Sequence, residues 1–199
     1  PIADMVGSIR VLHVDDDRDF AELVATFLER QNNRFEVETV TQPDSALGRL
    51  GDVDCVVCDH DMPGMTGIEV LKSVREEHPS LPFILFTGKG SEEVASEAIS
   101  AGVTDYLQKG GDAQNYELLA NRITNAVEAA RSQQTLTERT RRLETLIGNL
   151  PGMVYRCRNE AGRPLETVEG NVEKLTGYTA TALETEETPW DETMVHPDD

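Results

Sequence analysis

Positive charge is what this chain most lacks: 18 Lys and Arg stand against 37 Asp and Glu, a formal net charge of −19. Binding nucleic acid or an anionic membrane needs a basic face, so neither is expected of this segment. Long apolar runs are missing too. None approaches the roughly 20 residues of a membrane span, and no secretory leader is legible. Three cysteines give no disulfide framework. Cys55 and Cys58 have metal-ligand spacing, but an offset of three on a strand sends them to opposite faces, so small buried hydrophobes are expected. Aromatics make up 5% of residues, which with such acidity could signal disorder. The periodic apolar pattern argues against that up to about residue 130. The expectation is a reduced, cytoplasmic protein, trimmed at Pro1. Its self-repulsion, relieved by screening, suits an organism living at high salt.

What is present is a set of short apolar runs, each followed by chemistry. Val11-Leu-His-Val ends in Asp15, Asp16 and Asp17; Val56-Val-Cys ends in Asp59. Phe83-Ile-Leu-Phe ends in Thr87, and Asp105-Tyr-Leu-Gln in Lys109. Runs of this length with turn signals behind them read as buried parallel strands. Functional groups of an open parallel sheet gather beyond the carboxyl ends of its strands. That places an acidic pair, a lone Asp, a hydroxyl and a Lys around one point, a kit for a metal and a phosphoryl group. Between the runs, Phe20, Leu23, Val24, Phe27 and Leu28 recur at helical spacing, as do Ile68, Val70, Leu71 and Val74. Strands are expected at Phe35–Val40, Val53–Cys58 and Val103–Leu107. A short helix is expected over Pro43–Leu50, a further helix from a Ser91 cap to Gly102, and a long one from Ala113 onward. The order predicts an α/β fold with a five-stranded parallel sheet between helices.

The motifs Val14-Asp15-Asp16, Asp59-His-Asp-Met62-Pro63-Gly-Met-Thr-Gly67, Thr87-Gly88 and Tyr106 with Lys109 make residues 9–130 resemble a response-regulator receiver domain. That resemblance implies a flavodoxin-like sheet of order 2-1-3-4-5. It also implies that Asp59 accepts a phosphoryl group from a phosphohistidine on a kinase or phosphotransfer protein. Asp15, Asp16, Asp59 and the Asp61 backbone carbonyl would hold Mg²⁺, a hard ion suited to oxygen ligands. Lys109 would neutralise charge as a point cation. Thr87 would hydrogen-bond the phosphoryl oxygens, and its inward pull would let Tyr106 rotate, changing the face of the fourth helix, fifth strand and fifth helix. Asp61 and Lys89 flank the site where the family tunes hydrolysis. One departure is Gly110 in place of the family's Pro, which implies a looser loop and a less firmly placed Lys109. His13 is expected to pack within its strand, and His60 is given no role.

Beyond residue 112, Leu136, Leu143 and Leu150 repeat every seven residues, suggesting a linker helix (131–148) with coiled-coil character. A homodimer through that helix, or through the fourth helix–fifth strand–fifth helix face, is expected. From Gly148 the chain changes. Asn149–Arg158, Gly170–Tyr178 and Trp190–Asp199 resemble the opening landmarks of a PAS sensor domain, so 149–199 is expected to be a truncated α+β PAS segment. It would expose a strand edge, with Leu165, Val168, Val172 and Leu175 in want of a partner surface. The order receiver–PAS resembles haloarchaeal signalling proteins ending in a histidine kinase or, less favoured, a DNA-binding output. The alternative is a haloacid-dehalogenase-like phosphohydrolase using Asp59 and Asp61. A third reading is an unphosphorylated receiver serving as a dimer module.

Overall fold

Five of the apolar runs become β1 (Ile9–Val14), β2 (Phe35–Val40), β3 (Cys55–Cys58), β4 (Phe83–Thr87) and β5 (Asp105–Gln108). The computed structural model describes residues 7–88, 92–149, 151–159 and 165–185. All four pairings among these strands are parallel, in the order β2-β1-β3-β4-β5. Between them run α1 (Arg18–Gln31), α2 (Pro43–Leu47), α3 (Gly67–Glu77), α4 (Glu92–Ser100) and α5 (Ala113–Gly148).

Strand periodicity divides the core in two. Leu12, Val14, Val56, Cys58 and Leu85 face one side with α3 and Ala98 of α4. Val11, Cys55, Val57, Ile84 and Phe86 face the other, against Val24 and Leu28 of α1 and Leu119, Ile123 and Val127 of α5. Cys55 and Cys58 thus lie on opposite faces, both free and buried. Burying each large side chain contributes about 1.5–3 kcal/mol, so β3 and β4, covered on both faces, anchor the unit.

Several boundaries differ from expectation for local reasons. Leu50–Asp52 closes as a 3₁₀ turn, with the Val53 amide donating to Leu50 O at 3.3 Å, so β3 starts at Cys55 rather than Val53. At the end of α4 the Val103 amide donates to Ala98 O at 3.0 Å across left-handed Gly102 (φ 84°), which delays β5 to Asp105. Ser91 lies outside the described residues.

By internal contacts the chain separates at Gln133/Gln134. The second unit pairs β6 (Met153–Cys157) antiparallel with β7 (Leu165–Gly170), followed by α6 (Val172–Thr176) and α7 (Ala180–Glu184). Leu165, Val168, Val172 and Leu183 form its small core, with Met153, Cys157 and Ala180 beside them. Three of the four side chains expected to want a partner therefore find one inside the segment; Leu175 remains exposed. Leu150 and Trp190–Asp199 lie outside the described residues. No helix among the described residues is long and apolar enough to cross a membrane.

Candidate functional site

Register brings the site together. Val14 pairs with Cys58, Cys58 with Leu85, and Thr87 with Gln108, so the carboxyl ends of β1, β3, β4 and β5 stop nearly level. The ladder continues one step further: the Asp15 amide donates to Val40 O at 3.0 Å and the Asp59 amide to Val14 O at 2.8 Å. This sets the two carboxylates side by side. The Lys109 amide donates to Thr87 O at 2.8 Å. From there Lys109 Nζ reaches Asp15 Oδ2 at 2.7 Å and Asp59 Oδ2 at 2.8 Å. Asp15 and Thr87 are fully buried and Asp59 nearly so. Asp16 is exposed, but carboxylate oxygens of Asp15, Asp16 and Asp59 lie within 4.8 Å of one another.

The loop behind Asp59 is held tightly. The His60 amide donates to Asp59 Oδ1 at 2.7 Å, and the Gly67 amide to His60 O at 3.0 Å. A Cβ at Gly67 would fall 2.2 Å from the Asp59 carbonyl oxygen, so glycine alone lets α3 begin this close to the loop after β3. Thr66 and Glu69 close a capping box there, at 3.3 Å and 2.8 Å. Asp61 sits exposed in this loop.

Burial raises the pKa of Asp15, and the hydrogen bond and charge of Lys109 only partly offset it. For Lys109, burial pulls downward, yet the hydrogen bonds and charges of Asp15 and Asp59 together raise it, so it stays an ammonium. Three carboxylates face one ammonium. Like charges about 4 Å apart repel by about 4 kcal/mol at an effective dielectric near 20. The residual charge and all-oxygen donor set fit a divalent hard cation such as Mg²⁺.

Phe20, expected only as part of a helical packing stripe, belongs to this site as well. Its amide donates to the Asp17 cap at 3.1 Å, which places the ring in the first turn of α1. Lys109 Nζ lies 4.6 Å from the ring centroid. Phe20 in turn meets Phe86 and Tyr116 at centroid distances of 6.1 and 6.5 Å. The legible signal was its spacing of three from the capping Asp. At Gly110 a Cβ would fall 1.8 Å from Asn115 Nδ2, the end of a flexible side chain. Lys109, held by two carboxylates and a ring, is firmly placed. Tyr106 packs partly buried on the α3 side, and its hydroxyl has no hydrogen-bond partner among the described residues. His13 is fully buried 3.7 Å from Asp15, and burial lowers its pKa to about 4. Lys89 lies outside the described residues.

A family model for the response regulator receiver domain matches residues 11–121. The chain belongs to the response regulator receiver domain family. This receiver domain is 32% identical over 108 residues to the transcriptional regulatory protein ResD of Bacillus subtilis, and 31% over 100 residues to the response regulator SaeR of Staphylococcus aureus. Those matches take in 53% and 50% of this chain but only 44% and 43% of the relatives, so the chain spans under half their length. A receiver domain structure from Clostridium thermocellum superposes with a TM-score of 0.57 at 26% identity, covering 63% of this chain and 98% of that one. Phosphoryl transfer to an aspartate, supplied by histidine kinases, is general to such domains, as is Mg²⁺ at an acidic pocket.

Proposed function

We propose that Asp59 is the phosphoacceptor of this receiver. The observation that carries it is Lys109 Nζ bridging Asp15 and Asp59 at 2.7 and 2.8 Å, with buried Thr87 on the neighbouring strand end. An Asp59 carboxylate oxygen attacks phosphorus, the bond to the donor histidine nitrogen breaks, and an acyl phosphate forms. Asp15 and Asp16, with Asp59 and the Asp61 carbonyl, would hold Mg²⁺, which when bound would supply the charge compensation that repulsion between phosphoryl group and carboxylates demands. Lys109 exchanges its bond to Asp59 for one to the incoming oxygens, and the Thr87 hydroxyl donates to another. Tyr106, whose buried hydroxyl has no hydrogen-bond partner among the described residues, then turns, altering the α4–β5–α5 face. Asp61 and Lys89 set the lifetime of the acyl phosphate.

With Mg²⁺ and acetyl phosphate, intact-mass spectrometry is expected to show one added phosphate, absent in Asp59→Asn. Labelling unchanged in that variant overturns the assignment. Steady turnover of phosphomonoesters without an accumulating adduct would favour the phosphohydrolase.

The wider reading is a receiver (9–130), linker helix (131–148) and PAS opening (149–199) in a larger cytoplasmic signalling protein, homodimeric and ending in a histidine kinase or a DNA-binding output. The heptad leucines and the motifs at Asn149–Arg158 and Gly170–Tyr178 support it. The charge of −19 supports a high-salt host; melting temperature is expected to rise from dilute buffer to molar KCl, and a flat profile rejects that host.

A further inference from the structure

We propose that a leucine seam on the distal part of α5 seats a second copy of this chain, parallel and in register. This deepens the homodimer reading above. Leu136, Leu143 and Leu146 are 60%, 59% and 60% exposed. Single exposed leucines are ordinary, but three within eleven residues of one helix make a patch that asks for a partner.

The apolar side of α5 does not continue the stripe that packs on the sheet. Val127, 1% exposed, ends that stripe, and Leu136 lies nine residues on, about half a turn round an ideal helix. Residues that would extend the old stripe, Gln134, Glu138 and Arg141, are polar, so the helix has changed which side it keeps dry.

Heptad assignment then fixes orientation. Leu136 and Leu143 take position d, with Leu150 of the sequence next in phase. Gln133, Thr140 and Ile147 take position a. Leucine at d suits a two-stranded parallel pair, and polar a residues cost stability while fixing register. Arg139 falls at g and Glu144 at the following e. In a parallel in-register pair, g of one helix faces that e of the other. Arg139 therefore meets Glu144 of the second copy, twice by symmetry. An antiparallel pair instead sets g against g and e against e, so Arg139 and Glu144 would no longer meet.

Sedimentation equilibrium of the full chain is expected to show a dimer. In a Cys157→Ser background, where the remaining cysteines are buried, Leu136→Cys and Leu143→Cys are each expected to oxidise to covalent dimers, while Glu138→Cys on the far side does not. An antiparallel pair could place only one of the two leucine sites opposite itself. Arg139→Glu and Glu144→Arg, both on exposed positions, are each expected to weaken the dimer roughly tenfold, and the double reversal to restore it. A monomer under all conditions, cross-linking at only one of the two leucine positions, or no rescue by the double reversal overturns the proposal. None of these readouts needs phosphate, so they stand or fall independently of Asp59.

Discussion

The two units of this chain use the same building material to different depths. In the first, β3 and β4 are dry on both faces, and every residue from Phe83 to Thr87 is buried. In the second, β6 and β7 have one dry side: Val154 and Tyr155 are 45% and 49% exposed, and four side chains make the core. A sheet covered by helices on both sides can hold a charged triad at its edge, because strand register is overdetermined. A two-stranded sheet has no such reserve, and no comparable cluster of metal-ligating groups occurs there among the described residues.

The largest expected contrast is in hydrogen exchange. Amides of Val56, Val57 and Leu85 should exchange only through global opening, and those of β6 and β7 at least about 3 kcal/mol more readily. The first unit, cut after Gln133, should keep its protection, because Arg131 then still reaches Ser8 O at 2.7 Å and Asp54 at 2.8 Å. Equal protection in both units would erase the distinction.

Acid should also divide them. His13, with a pKa of about 4 folded against 6.5 unfolded, binds its proton more weakly in the fold. Its neutral form therefore favours folding above pH 6.5, and that advantage is lost as pH falls from 6.5 to 4, by about 3 kcal/mol at most. Asp15, whose pKa is raised, works in the opposite sense and trims the loss. Chemical denaturation at pH 7 and 4.5 should show the first unit weakened, with the slope reduced in His13→Phe; an identical slope in the variant would assign the effect elsewhere.

Gly67→Ala should cost the first unit about 1–3 kcal/mol through the clash with the Asp59 carbonyl, and leave the second unmoved. A melting temperature unchanged from wild type would mean that α3 retreats freely. Smallest is Phe20→Leu. Loss of the ring under Lys109, worth about 0.5–1 kcal/mol, should slow phosphate uptake two- to fivefold, while Phe20→Tyr retains the rate. Equal rates in all three proteins would reduce Phe20 to packing.

Much of the first unit was legible because its signals are local. Apolar runs mark β1, β3 and β4, and Asp15, Asp59, Thr87 and Lys109 each stand at a run's end. Phe20 was missed because its role depends on where a residue 89 positions away extends its side chain, which no periodicity encodes. The beginnings of β3 and β5 were misplaced because Val53 and Val103 look like strand residues while their amides serve turns. In the second unit, Leu183 supplied the cover for Val168 and Val172 that the sequence pattern had left open, since short helices announce their packing face poorly.

Asp15 and Lys109 are 94 residues apart in sequence yet 2.7 Å apart in space. Bringing together groups so far apart in sequence carries a large loop-closure entropy, which slows folding. During synthesis, Asp59 emerges well before Lys109, so a nascent chain carries that carboxylate before its ion pair can form. The ion pair that closes the site then arrives only once the residue after the fifth strand is in place, and until then two neighbouring carboxylates have no ammonium between them.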